Sequence, residues 1–331
     1  MTLTAIAGVI YYFEAQKPER ASPSAETEVA TSVSKNYPRA RELVSPEGFI
    51  NVDKISISEL VGKKVILVDF WTYSCINCQR TQPYLNAWYE KYGDQGLEII
   101  GVHTPEFEFE KNLDNVRAAV AKADIKYPVV QDNDRGTWQA YGNRYWPRKY
   151  LIDIDGYIVY DHIGEGGYEE TEKKIQELLK VAGDLSGPLV ESIDRNMLLT
   201  PEIYFGAERN RAYLGNGKSG AEGLQSFILP AAIKSNVLYL SGDWQVNTEY
   251  AESAGPGGKI VIRYQGNKVY MVASSERPVA VRILRDGQLY KTIIVSSSDL
   301  YPVIDEAEYG EYTLEIAPGS AGFKIFTFTF G

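Results

Sequence analysis

Cys75 and Cys78 are the only cysteines in the chain, and they stand three positions apart. That spacing makes a local dithiol or half of a metal site; it cannot staple a fold together. An apolar run, VILVDF at residues 65–70, precedes them, and a helical pattern follows. A strand feeding a turn that opens a helix sets the first sulfur at the helix N-terminus. Unpaired N–H groups and the positive end of the helix dipole favour a thiolate there. Cys75 is therefore the candidate nucleophile. Cys78, one turn further in, suits the resolving role: it attacks a mixed disulfide on Cys75 and releases the substrate. The redox group is then the Cys75–Cys78 disulfide itself, with no other cofactor expected. A zinc site would need two more ligands, and His103 and His162 lack a ligand spacing, so no metal is expected.

Asp69 lies in the otherwise apolar run, six positions before Cys75. A buried carboxylate is costly and titrates high. Beside a dithiol it can accept the proton of the resolving thiol. Tyr73 reads as part of a substrate rim. His103 reads as a hydrogen-bonded structural histidine. Arg80 and Arg148 flank the site and divide evenly between thiolate support and plain surface. Glu106, Glu108 and Glu110 follow the next strand on the active edge; they read first as a solvated helix start and second as acids that steer substrate or raise the thiol pKa.

These residues need elements to hold them. After the cysteine turn, Leu85, Trp88, Tyr89 and Tyr92 fall at i, i+3, i+4 and i+7, one buried helix face. Gly93 ends that helix and Pro83 should kink it. LEIIGV at residues 97–102 is a second buried strand, so the dithiol sits at the carboxyl edge of a βαβ unit. A helix over 111–123, the strand YPVVQD, a short helix at 138–141 and a hairpin of 149–154 with 157–163 follow. A last helix runs to Gly183. Beyond 184–199 the pattern becomes strands only, from SFILPAAI, NVLYLSG, KIVIRYQ and KVYMVAS to VAVRILRDG, YKTIIVS, GEYTLEIAP and FKIFTFTF. That pattern predicts an antiparallel sandwich, jelly-roll-like. The organisation expected is a short apolar N-terminus and linker at 1–46, an α/β domain at 47–183, a linker at 184–199 and a β domain at 200–331.

The chain's 331 residues suit two domains, and 44% hydrophobic with 24% charged residues is globular. The net charge of -10 and the absence of a basic block exclude nucleic acid as a partner class. Residues 2–13 are apolar but shorter than the ~20 residues a span needs. They read as the clipped end of a transmembrane helix or a weak signal anchor, with a polar tether behind, in preference to a surface strand with no targeting role. Tyr239, Trp244, Tyr250, Tyr264 and Tyr270 are the type that stacks on sugars, which makes a glycan a candidate ligand; aromatics in strands more often build core.

VDFW-x-x-x-C-x-x-C, with Pro83 five residues on, resembles the thioredoxin superfamily. Asp69, Trp71, Cys75, Cys78 and Pro83 fall on that motif, and so does Pro147 before the YLID strand. The resemblance implies an α/β thioredoxin fold, a cis bond before Pro147, and a Trp146 backbone edge that pairs with substrate peptide. It also places Trp71 among the substrate-binding residues, beside the rim residue Tyr73. ELVGKKVILVDFW and the insertion after the second strand resemble the redoxin/TlpA branch. WTYSCINCQRTQPYL, HTPEFEFEK, YPVVQDND and TWQAYGNRYWPRKYLIDIDG resemble the extracytoplasmic part of DipZ-type proteins, with a carbohydrate-binding-module-like β domain behind. That implies a membrane-tethered, extracytoplasmic thiol-disulfide oxidoreductase acting on protein thiols and disulfides, more a reductase than an oxidase, fed by a CcdA-like membrane donor. The other readings are a glycan- or cell-wall-binding adaptor on a thioredoxin scaffold and a thiol peroxidase, whose Pro-x-x-x-Thr-x-x-Cys signature is absent. Ile76-Asn77 stands where thioredoxin has Gly-Pro, and Ser74 where a tryptophan usually precedes the first cysteine.

Overall fold

Strand and helix alternate through the first half. In chain order come β1 (Gly48–Ile50), α1 (Ile57–Leu60), β2 (Val65–Trp71), α2 (Ile76–Tyr92), β3 (Leu97–His103), α3 (Leu113–Lys122), β4 (Val129–Gln131), α4 (Gly136–Ala140), β5 (Arg148–Ile152), β6 (Ile158–Ile163) and α5 (Tyr168–Leu179). The computed structural model describes residues 37–180 and 200–331. The apolar stretch at 2–13, the tether up to residue 36, the helix stop at Gly183 and the boundary at 184–199 lie outside the described residues. Among the described residues no helix is long and apolar enough to cross a membrane.

The sheet order is β1-β4-β3-β2-β5-β6. β2, β3 and β4 are parallel and β5 returns antiparallel to β2, the α/β thioredoxin arrangement expected. An apolar strand without alternation must be covered on both faces, and all seven residues of β2 are buried. Leu67 and Trp71 face Leu85, Trp88 and Tyr92 of α2. Ile66, Val68 and Phe70 face the opposite core with Ile57 and Trp138. Trp88 and Tyr92 also donate to the buried Glu172 of α5, at 3.2 and 2.7 Å. That core fixes the end of β2, and so the turn that carries the cysteines.

Residues 37–46, expected as the end of a linker, pack on the α/β sheet instead. Ala40 N–H donates to Gly156 O at 3.0 Å, and Leu43 is buried. Glu42 accepts from the backbone N–H groups of Ile57 and Ser58 at the start of α1. An Ala-, Ser- and Glu-rich composition hides these few anchoring contacts.

The second half is all-β: β7 (Ile203–Tyr204), β8 (Gly223–Phe227), β9 (Leu238–Val246), β10 (Ala251–Ser253), β11 (Lys259–Ser274), β12 (Val279–Arg285), β13 (Gln288–Val295), β14 (Asp299–Pro318) and β15 (Lys324–Phe330). The hydrogen-bonded path is β13-β12-β14-β11-β15-β10-β9-β8, with β7 on β15. KIVIRYQ and KVYMVAS are one strand, β11, which passes Gly266 by a bulge where the sequence suggests a turn. Its first half pairs with β9 and its second with β15, while β14 runs along its other edge. GEYTLEIAP is the second half of the long β14. The strand expected at SFILPAAI ends at Phe227, and Ile228 is exposed.

Tyr239, Trp244 and Tyr264 are buried in the β domain, so they present no stacking surface to a sugar. Tyr250 packs on Phe326 at 5.1 Å, and Tyr270 lies under the Arg80 guanidinium at 5.4 Å. Those two rings belong to the contact between the halves. Its apolar centre joins Ile76 and Phe107 to Val272, Leu300 and Phe326. Lys122 pairs with Asp299 at 2.9 Å, and Glu108 N–H donates to Glu249 at 3.0 Å, on the same seam.

Candidate active site

Cys75 is the N-cap residue of α2. Its Sγ accepts the Cys78 backbone N–H at 3.3 Å, one of the donors that a helix N-terminus leaves unpaired. Cys75 is partly exposed and Cys78 is buried; both thiols are free. One sulfur is reachable and the other is held back, the asymmetry that nucleophile and resolving roles require. Burial, then the Cys75 sulfur beside it, and finally the Asp69 carboxylate push the Cys78 thiol well above its ordinary range.

Asp69 is buried at mid-strand in β2, where its register partners are Gly101 of β3 and Lys149 of β5. Burial raises its carboxyl to about 7, with the Lys149 charge pulling the other way. Its Oδ1 has no hydrogen-bond partner. A carboxylate with an idle oxygen, titrating near neutrality and acting on the Cys78 thiol, has the properties of a local proton acceptor.

The Trp146–Pro147 peptide is cis. The Trp146 indole donates to Thr104 O at 3.0 Å and its ring lies on Trp138 at 4.3 Å, which fixes the loop's position. Cys75 and Trp146 line one cleft of about 340 Å³. Thus the structure gathers Cys75 and Trp146 at an open surface, with Cys78 and Asp69 behind it.

Trp71 and Tyr73 do not belong to that surface. They are 1% and 5% exposed and back onto a separate pocket on the α3 side. Trp71 meets the His103 ring edge-on at 5.1 Å, and Tyr73 stacks on it at 5.7 Å. Motif position suggested substrate contact for Trp71, and Tyr73 was expected on the substrate rim; both side chains are buried against the His103 ring. Arg80 bonds Glu165 at 3.4 Å and Arg148 bonds Asp161 at 2.6 Å. Neither lines the cleft.

His103 is fully buried, and desolvation lowers it to about 3. In the unfolded chain it would protonate below ~6.5, while in the folded chain it stays neutral. The unfolded state then binds the extra proton, so this residue's contribution to stability is lost as pH falls from ~6.5 toward 3. Asp69 acts oppositely: its folded carboxyl holds a proton between ~3.9 and 7 that the unfolded one releases, so its contribution falls as pH rises through that window. Replacing His103 with Phe is therefore expected to shrink the loss of Tm between pH 7 and pH 5, read by thermal melts at both values.

Glu110 overturns the reading of the acidic run as a solvated helix start. Its carboxylate is buried, accepts the Ser74 hydroxyl at 2.6 Å, and accepts the N–H groups of Glu106 and Phe107 at 2.6 and 3.0 Å. It ties the turn before Cys75 to the loop after β3. Ser74, which stands where the family has tryptophan, supplies the hydroxyl for this tie. Glu110→Ala would strand those donors at ~1–3 kcal/mol each. The expected result is a loss of about 3 kcal/mol in denaturant-derived stability, with Cys75 loosened in its turn. Glu108 alone among the three is exposed.

The cleft also holds residues that sequence reasoning missed. Arg144 lies on its rim, and Glu202, Tyr204, Arg209, Thr327 and Thr329 come from the β domain. Glu106 faces them and pairs with Arg209 at 2.8 Å. Gly206 lets this segment lie directly on the backbone of Thr248, where a Cβ would come 2.3 Å from Thr248 O. No sequence pattern announces these contacts, which join residues about a hundred positions apart. Among the described residues no group of three or more His, Cys, Asp or Glu side chains is arranged to hold a metal ion.

Residues 44–161 match the AhpC/TSA family and residues 200–331 match the thioredoxin-like C-terminal domain family. The chain is 30% identical over 138 residues to thiol-disulfide oxidoreductase YkuV of Bacillus subtilis, covering 92% of that protein and 42% of this chain. It is 35% identical over 125 residues to thiol-disulfide oxidoreductase ResA of Bacillus cereus, covering 69% of that protein and 38% of this chain. The chain belongs to the thioredoxin-like thiol-disulfide oxidoreductases. Similarity to protein DipZ of Mycobacterium tuberculosis runs through both halves, at 37% identity over 301 residues and 88% of this chain. It covers 43% of DipZ, so the chain spans less than half the length of that relative.

Proposed function

We propose that this member of the family is an extracytoplasmic, membrane-tethered reductase of protein disulfides. The observation that carries the reading is the pairing of an accessible Cys75 sulfur at the α2 N-terminus with a buried Cys78 one turn behind it. In the first step the Cys75 thiolate attacks a substrate disulfide. A Cys75–substrate disulfide forms and one substrate thiolate leaves. The Cys78 thiol then passes its proton to Asp69 and attacks Cys75 Sγ. The Cys75–Cys78 disulfide forms, the second substrate thiolate leaves, and two electrons have moved to the substrate. A donor dithiol must return them, and a CcdA-like membrane partner fits the DipZ-like organisation. Trp146 would present its backbone edge to the substrate chain ahead of Pro147.

The AhpC/TSA match favours a second reading, a thiol peroxidase. Thr72 stands three positions before Cys75, as in the Pro-x-x-x-Thr-x-x-Cys signature of that chemistry, but Val68 stands where the signature has proline. One experiment separates the two. Purified protein with dithiothreitol should speed the reduction of insulin and leave hydrogen peroxide unconsumed; peroxide turnover without insulin reduction would reverse the assignment. Redox equilibration of the dithiol should give a potential nearer thioredoxin's ~-270 mV than the oxidant DsbA's ~-120 mV.

A further inference from the structure

The cleft at Cys75 is not made by the thioredoxin-like half alone. Cys75, Asn77 and Trp146 form one side, and Glu202, Tyr204 and Thr329 of the β domain form the facing wall. A substrate strand lying along Trp146 must therefore pass against that wall.

The wall carries an unequal pair of acids. The Tyr204 hydroxyl sits 3.0 Å from the Glu106 carboxylate and 2.8 Å from that of Glu202. Glu106 has its own cation: Arg209 is 2.8 Å away, with its guanidinium 3.7 Å from the centre of the Tyr204 ring. Glu202 is held by hydroxyls, Tyr204 and Thr329 at 3.0 Å, and forms no ion pair among the described residues. Burial and the Glu106 charge raise its carboxyl to about 7, with the two hydroxyls and the Arg209 charge pulling the other way. It is only partly buried, and the surface left open faces the cleft. An acid drawn partly out of water, and left to share with Glu106 the charge of an Arg209 that is ion-paired to Glu106, gains most from a bound ammonium or guanidinium.

We propose that the β domain is the substrate-reading wall of this cleft, and that Glu202 selects protein substrates carrying lysine or arginine beside the reacting cysteine. The proposal rests on the reading of Cys75 as the nucleophile. The arrangement already realised by Arg209 on Glu106 shows the geometry a substrate cation would repeat on Glu202. Arg144, the other cation of the cleft, is exposed on the rim, where water and salt weaken its pull.

The test uses three short peptides that differ only beside their single cysteine, which is disulfide-linked to a reporter thiol and flanked by Lys, Ala or Glu. Second-order rate constants are measured for oxidation of the pre-reduced full chain. The Lys peptide should react about tenfold faster than the Glu peptide, ~1.4 kcal/mol in the transition state. That ratio should shrink in high salt, collapse in Glu202→Gln and survive in part in Glu202→Asp. Equal rates for the three peptides with the unmodified chain would overturn the proposal while leaving the oxidoreductase reading intact. So would Glu202→Gln slowing all three alike, the mark of a structural or proton-donating role. No reaction with any peptide would overturn the oxidoreductase reading, and this one with it.

Discussion

Cys75→Ser is expected to abolish disulfide reduction, by at least about 1,000-fold, because removal of a nucleophile leaves only binding and positioning effects. The buried Cys78 cannot substitute: its thiol is out of reach, and burial beside Cys75 and Asp69 keeps it protonated. Cys78→Ser should differ in kind. It retains the first attack and loses the second, so a single burst of substrate thiol is released and turnover stops. Stopped-flow detection of the leaving thiol distinguishes the two variants. The same burst from Cys75→Ser would assign the attack to the wrong sulfur.

Asp69→Asn should slow the second step by about 100-fold, the lower end of general acid–base contributions. Asn keeps the shape between Gly101 and Lys149 and loses the proton acceptor. The sign of the pH effect follows. Asp69 must be ionised to accept the Cys78 proton, and its carboxyl titrates at about 7. Release of the second thiol should therefore fall as pH drops through 7 in the unmodified chain, and Asp69→Asn should flatten that limb. A uniform rate loss with the pH limb preserved would give Asp69 a packing role only.

What the sequence made legible was local. The run VILVDF, the dithiol and the helix after it are contiguous, so their order already sets the sulfur on a helix end. Asp69 stood out because a carboxylate in an apolar run has few explanations. The miss at Glu110 has the opposite cause. Three acids after a strand look solvated, and the residue that pulls one of them inward, Ser74, lies 36 positions away. Trp71 was placed by motif position, which does not report the His103 ring packed against it. Gly266 resembled a turn because a bulge and a turn both use glycine. The β-domain wall was illegible for the same reason as Glu110: Tyr204 meets Glu106 across 98 positions, through polar residues whose pattern suggests plain surface.

The chemistry turns on which sulfur carries the mixed disulfide. Cys78→Ser, incubated with a disulfide substrate, digested without reductant and mapped by mass spectrometry, should carry the adduct on Cys75. An unmodified Cys75 in that variant, with the adduct instead on Cys78 of the Cys75→Ser chain, would contradict it.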